Sequence, residues 1–437
     1  MTRIERKTFS FLDRLTTNPW TAFPIFILVV YLLFWCTFSL GQYPMSWIQS
    51  GVAMLSGWLD ALIRVDWLRD LVVDGILAGV GGVLVFLPNI IILYLLISIM
   101  ESTGYMGRVA FIMDKIMHHM GLHGKSFIPM IMGFGCNVPA ILACRDIHPR
   151  KSRLVTVMII PFMSCSGRLP VYLLLVAAFF PEHGPLILLG LYALGLILAV
   201  LAAKVISMIL PGIAAHDHVE QKPYMMPQWS YVFGNTFVQV KEYLQKLAGP
   251  ILAFSVALWV LGYFPRAAAV GGNVATASVE MTVSGNDVAV ASEEMTVSGS
   301  DAAVASAMSA VAQKEQSFIG RIGHIISPVL EPIGMNWKDG VAIIGGVGAK
   351  ELIVSTLGVM YSDDAPTLQD ALRGSHTAAG ALAFMVFVLL YFPCVGTFVA
   401  LKHTTGSWGW TLLGAVNSIV VAWVMAFVVF RAFTLIL

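Results

Sequence analysis

Charge is scarce in this 437-residue chain: Asp, Glu, Lys and Arg make up 12% of it, while 58% is hydrophobic. An average soluble domain carries about 25% charged and roughly 45–50% apolar residues, so this excess does not fit inside an ordinary core. The net charge of +1 offers no basic surface to a polyanion, which sets nucleic acid aside as a partner. Cysteine is equally sparse. Cys36, Cys136, Cys144, Cys165 and Cys394 form no CxxC pair and mostly fall in or beside apolar segments, which argues against a disulfide framework. The chain also lacks HExxH and paired CxxC spacings, so no closed structural zinc site is written in it. A phosphate loop is missing too: Gly121-Leu-His-Gly-Lys-Ser126 approaches one, but His119 stands where its first glycine is required and no strand precedes it.

What the chain does have is long apolar runs, several of about 20 residues, the length that matches the hydrocarbon thickness of a bilayer. Ala22–Leu40 exceeds the core of a cleaved signal peptide and reads as a retained first span. Trp47, Trp58 and Trp67 then suggest an interfacial stretch, and Leu71–Met100, interrupted by Pro88-Asn89, suggests two closely linked helices. Further apolar segments lie at 127–144, 154–180, 185–210, 248–264, 341–361, 378–401 and 408–436. The expected fold class is all-α: a polytopic integral membrane helical bundle of about 8–10 membrane segments.

Arg3, Arg6, Lys7 and Arg14, and the crowded Arg145, Arg150, Lys151 and Arg153, assign both of their neighbourhoods to the cytoplasmic side. Arg108–Lys125 is basic as well, so both flanks of 127–144 face that side, and this stretch is expected to enter the membrane and return. The expected division is a polar cytoplasmic segment at 1–21, a first membrane half at 22–264, a flexible extracytoplasmic insertion at 265–320 and a second membrane half at 321–437. Within the insertion, Glu280–Ser292 recurs almost unchanged as Glu294–Ser306, which reads as a duplication in a tolerant loop.

Four segments carry chemistry. In Ile128-Pro-Met-Ile-Met-Gly-Phe-Gly-Cys-Asn-Val-Pro-Ala140, glycines and prolines break an apolar helix beside the Cys136 thiol and the Asn137 amide. Breaks at membrane depth free backbone carbonyls, which lipid cannot satisfy, so such helices line cavities and transport sites. Ile160-Pro-Phe-Met-Ser-Cys-Ser-Gly-Arg-Leu-Pro170 sets Ser164, Cys165, Ser166 and Arg168 between two prolines. Ile344-Gly-Gly-Val-Gly-Ala-Lys-Glu-Leu352 puts Lys350 and Glu351 inside an apolar run, where each charge costs about 2.5–3.5 kcal/mol and needs an interior partner or a watery path. Tyr391-Phe-Pro-Cys-Val-Gly396 again joins a proline to a thiol, Cys394. The order is twofold: a Gly-x-Gly break followed by a proline-associated cysteine, then the same again, as in transporters built from internal repeats. Thiol, carboxylate and amide donors suit a borderline-soft divalent ion such as Fe²⁺ better than Mg²⁺ or Na⁺. Glu101, at a helix end beside Ser102, reads equally well as a vestibule ligand or a solvated side chain. Gly79, Gly81 and Gly82 read as sites of close helix approach.

In these segments the chain resembles the membrane domain of the bacterial ferrous iron transport protein B family. Glu101-Ser-Thr-Gly-Tyr-Met-Gly-Arg-Val-Ala-Phe-Ile-Met-Asp114, Gly124-Lys-Ser-Phe-Ile-Pro129, Gly133-Phe-Gly-Cys-Asn-Val-Pro139, Pro161-Phe-Met-Ser-Cys-Ser-Gly-Arg-Leu-Pro170, Ala349-Lys-Glu351 and Tyr391-Phe-Pro-Cys394 carry the likeness. The resemblance implies a multi-pass inner-membrane Fe²⁺ uptake permease with two gate repeats and a cytoplasmic N-terminus. The family's gate cysteines correspond to Cys136 and Cys165, its second-gate carboxylate to Glu351 and its late Pro-Cys to Cys394. Family members begin with a GTP-binding domain, and these residues contain no GxxxxGK[ST] sequence. No enzymatic activity and no bound cofactor are therefore expected of the chain itself. GTP would act through an absent or separate domain, and a separate GTPase, a small FeoA-like protein and a second copy of the chain are the implied partners. The rival readings are a carrier of another divalent metal or a nucleoside-like solute, and a non-transporting membrane scaffold for a separate GTPase.

Overall fold

The computed structural model describes residues 19–119, 122–148, 150–209, 225–265, 317–361, 367–391 and 393–436. Among them, seven helical stretches are long and apolar enough to cross a membrane: Thr21–Leu62, Trp67–Ser102, Arg150–Phe179, Gly184–Ile209, Trp229–Tyr263, Ala378–Thr405 and Trp408–Leu435. Together with two re-entrant hairpins described below, they fall within the expected range of membrane segments. The repeat at 280–306 lies outside the described residues.

The first helix, α1 (Pro19–Leu62), runs unbroken through Pro24 and Pro44 and absorbs the tryptophan-rich stretch read as interfacial, leaving Trp47 and Trp58 exposed along its side. In the same way α2 (Ala78–Ser102) continues through Pro88, where two linked helices were expected. The cause is common to both. In an apolar surrounding a proline forfeits one backbone hydrogen bond, whereas ending the helix would leave several amides and carbonyls without partners. Where α2 passes its neighbours two of the three glycines act as expected: a Cβ at Gly79 would come within 2.6 Å of Ser255 and one at Gly81 within 2.9 Å of Val52, whereas Gly82 faces open space.

Next come α3 (Tyr105–His119), α4 (Phe127–Gly135), α5 (Asn137–Ala143), α6 (Arg150–Ile159), α7 (Leu169–Phe179), α8 (Gly184–Ile209) and α9 (Trp229–Tyr263). Beyond the insertion lie α10 (Phe318–Leu330), α11 (Trp337–Gly348), α12 (Leu352–Met360), α13 (Leu368–Ser375), α14 (Ala378–Leu390), α15 (Val395–Thr405) and α16 (Trp408–Ile436). The core forms around α14, which is apolar on every face and buried along almost its whole length. Outer helices instead present Met54, Leu186, Leu189, Phe237 and Leu412 outward, the pattern of a bundle solvated by lipid.

Gly334, between α10 and α11, adopts φ 76°, and a Cβ there would meet Phe430 and stand 3.1 Å from the Gly380 backbone. The left-handed backbone and the contact both oppose a side chain, so Gly334→Ala is expected to cost about 1–3 kcal/mol, read as a lower midpoint of thermal unfolding in detergent.

Candidate functional site

The two Gly-x-Gly breaks are the tips of two hairpins. In the first, Gly133-Phe-Gly135 ends α4, Cys136 takes an extended backbone (φ −152°, ψ 129°), and α5 begins at Asn137. The neighbouring α6 reads out its direction. A Cβ on Gly133 would lie 3.1 Å from Met163, beyond the far end of α6, while Arg153 near the start of α6 donates to the Arg145 carbonyl just after α5, at 3.4 Å. The chain therefore enters along α6 and comes back, as both basic flanks require. In the second, Gly346-Val-Gly348 ends α11, Ala349 is extended (φ −146°, ψ 137°), and α12 returns from Glu351. Its base is closed by the Tyr361 hydroxyl, which donates to Asp339 at 3.2 Å. The matching backbone angles at Cys136 and Ala349 give the internal repeat a structural basis.

The hairpins enter from opposite ends of the bundle. His376, just before α14, binds the base of the second hairpin through Asp339, whereas Thr404, at the end of α15, donates to Ile141 in the returning arm of the first at 3.2 Å. Since α14 and α15 together form one span, the two hairpin bases lie at its two ends and the tips face each other in between.

The unwound segment between α6 and α7 joins the tips. Ser166 Oγ donates to the Gly135 carbonyl at 2.9 Å, and a Cβ on Gly167 would stand 2.9 Å from Glu351 Oε2. From the second tip, Lys350 Nζ lies 3.2 Å from the Tyr391 ring centroid, at the break between α14 and α15 that carries Cys394. All four sequence breaks thus meet, and Cys136, Cys165, Cys394 and Glu351 fall within one another's electrostatic reach. Asn137, 4% exposed, points a buried Oδ1 that has no hydrogen-bond partner among the described residues. Ser164 is buried and bonded to the Tyr172 hydroxyl at 3.4 Å, and the Cys394 thiol sits 3.2 Å from Thr397 Oγ1.

Glu101 is placed elsewhere, exposed at the C-terminal end of α2. Cys144 is a structural thiol, buried and donating to the Ala140 carbonyl at 3.3 Å. Among the described residues no three His, Cys, Asp or Glu side chains stand close enough to hold a metal ion in this conformation. Each tip pairs the C-terminal end of one helix with the N-terminal end of the next, so the backbone dipoles largely cancel and the side chains set the local charge. Sequence reading passed over the buried Asp339–His376 pair, because its members are 37 residues apart and form no motif.

Comparison with known proteins came to the same segments. A family described as "Gate: Nucleoside recognition" matches residues 83–179 and 244–408. A protein of Porphyromonas gingivalis named Fe(2+) transport protein A/Fe(2+) transporter FeoB fusion protein is 44% identical over 436 residues, covering 96% of this chain and 51% of its own length. The Fe(2+) transporter FeoB of Campylobacter jejuni is 37% identical (97% of this chain, 65% of the relative), and that of Staphylococcus aureus 36% identical (96% and 58%). The chain thus spans about half to two thirds of the length of these relatives. No solved structure matches it.

Proposed function

Because the chain belongs to the Gate family and matches the membrane portion of the ferrous iron transporter FeoB, we propose that it conducts Fe²⁺ through the meeting point of the two hairpin tips. The observation that carries this reading is the meeting of both hairpin tips at the unwound Met163–Arg168 segment, with the Cys394 break joined to the second tip through Lys350 and Tyr391. Cys136, Cys165, Cys394, Glu351 and the free Asn137 Oδ1 are the proposed donors, a mixture suited to a borderline-soft divalent ion. These donors do not close on one another in the described conformation, which fits a path whose ligands engage only in transit rather than a resident site. The basic loops define the cytoplasmic face, so the first hairpin enters from the cytoplasm, the second from outside, and Fe²⁺ passes inward between them.

The Porphyromonas relative's name joins transport protein A to FeoB, which makes a FeoA-like protein a proposed partner, and GTP would act through another domain or protein. The family's description favours one second reading, a nucleoside-like solute. Uptake into proteoliposomes separates the two: radiolabelled Fe²⁺ under reducing conditions should enter and be competed by Mn²⁺ or Zn²⁺ but not by uridine, and competition by uridine alone would favour the nucleoside.

Gly167→Ala tests the geometry. The new methyl group meets the mobile end of Glu351 rather than backbone, so the carboxylate swings aside and the fold survives. Uptake should fall by about tenfold, the loss of roughly 1.4 kcal/mol of ion binding, while the thermal midpoint stays near that of the parent.

A further inference from the structure

At the base of the second hairpin lies a polar cluster that the proposed path does not use. Asp339 belongs to the first turn of α11, where its Oδ2 accepts from the Asn336 amide at 2.8 Å and completes a capping box. The same oxygen lies 2.8 Å from His376 Nε2, and neither side chain is more than 1% exposed. Oδ1 accepts from the Tyr361 hydroxyl, which in turn accepts from Asn336 Nδ2 at 2.7 Å. His376 is itself fixed between two elements: its amide caps α13 by donating to the Leu372 carbonyl at 2.9 Å, and it precedes Thr377, the N-cap of α14. One buried pair therefore ties together both arms of the hairpin that carries Glu351 and the start of the span that carries Cys394.

We infer that Asp339 and His376 form a protonatable clamp that positions the Glu351 tip against the Cys394 break, so that protonation from the extracytoplasmic side controls passage of the ion. The clamp rests on the reading that this tip lines the Fe²⁺ path. A salt bridge fixes direction and distance more strongly than a neutral contact, and a fully buried one admits no water in its place. Other ionisable groups nearby leave His376 to Asp339: Lys338 lies over the Tyr361 ring at 4.8 Å, Asp370 and Arg373 pair with each other on α13, and His324 on α10 stacks on Trp337. Burial works against a charge on His376, but the hydrogen bond and charge of Asp339 outweigh it and hold the imidazole above its ordinary value. A raised histidine contributes its stabilisation fully below the ordinary imidazole range and loses it as pH climbs through the raised value. The clamp is accordingly closed in mildly acidic surroundings and relaxes toward alkaline pH.

Two pH series on the full chain test this, comparing the parent with His376→Gln, which keeps a side-chain donor for Asp339 but no titrating charge. The thermal midpoint of the parent should exceed that of His376→Gln near pH 6, and the gap should close by about pH 9 as the imidazolium is lost. In proteoliposomes the ratio of parent to His376→Gln Fe²⁺ flux should run from at least about threefold near an external pH of 6 toward unity at alkaline pH; the ratio cancels titration of the path thiols, which the two proteins share. Asp339→Asn should flatten both series in the same way. A midpoint gap independent of pH overturns the clamp, and a closing gap with a constant flux ratio overturns its control of passage. If the parent carries no Fe²⁺ at any pH, the proposed function fails while the midpoint series still decides the clamp.

Discussion

Glu351→Gln should abolish Fe²⁺ uptake while leaving the protein folded. The substitution keeps the size of the side chain and one of its oxygens, so the contact with Gly167 and the extended turn at Ala349 survive. What disappears is the only carboxylate among the proposed donors. A divalent ion entering a partly dehydrated site gives up hydration that the donors must replace, and each charge it gains opposite a carboxylate about 4 Å away is worth roughly 4 kcal/mol in a partly polarisable interior. Much of that offsets the desolvation of the carboxylate itself, so a net loss of about 2.7 kcal/mol, or a hundredfold in uptake, is expected. Arg168 sharpens the effect, since it is buried beside the site and its charge would then oppose the ion with no carboxylate to offset it. Initial rates of uptake measure the loss, and an unchanged elution profile in detergent confirms the fold. A rate within twofold of the parent would remove Glu351 from the path.

Arg168→Met should produce the largest loss of stability. The guanidinium is fully buried and donates through Nη1 to the Met163 carbonyl at 2.9 Å and through Nη2 to the Pro161 carbonyl at 3.1 Å. These are carbonyls released by the unwinding between α6 and α7, and lipid offers them nothing. Two effects compete when the arginine is removed. Burying one fewer charge is favourable, but each orphaned carbonyl costs about 1–3 kcal/mol. Both bonds are made and well oriented, so the second effect dominates and a net loss of about 2–5 kcal/mol is expected. The readout is the midpoint of thermal unfolding in detergent. Arg168→Lys, which can reach one carbonyl at a time, should recover only part of it.

The consequence for transport follows from the same geometry. Met163–Arg168 is the segment through which both hairpin tips make contact, by way of Ser166 and Gly167. Arginine at this position keeps the helix open without leaving polar backbone unsatisfied, which a path for ions through a bilayer requires. Its positive charge is the cost of doing so, and the Glu351 carboxylate beside Gly167 supplies the opposing sign.

Hydropathy made most of the architecture legible, because a lipid-solvated helix needs a long apolar run and few other sequences have one. The four breaks were equally legible: Gly-x-Gly and proline inside such runs have few other uses, and each became a tip or an unwound segment. A boundary failed where proline was given the weight it has in water, at Pro88, since the apolar surroundings hold the helix together across it. The Asp339–His376 pair was illegible for a different reason. Its partners meet only because the second hairpin folds back on itself, and nothing in the spacing of a lone aspartate and a lone histidine announces that. Glu101 lies exposed at its helix end, apart from the tips. Arg168 stood out in the sequence as a charge between prolines, but its service to the Pro161 and Met163 carbonyls required the backbone path.

The central claim is that the hairpin tips form the route of the ion, and site-resolved alkylation tests it most directly. With the chain in lipid, each cysteine is labelled by a small maleimide, with and without Fe²⁺ under reducing conditions, and quantified by mass spectrometry. Fe²⁺ should slow labelling of Cys136, Cys165 and Cys394 together, leave the half-buried Cys36 on α1 unaffected, and lose its effect in Glu351→Gln. Equal labelling of all three with and without the ion, in a preparation that takes up Fe²⁺, would show that the ion travels by another route and would contradict the account.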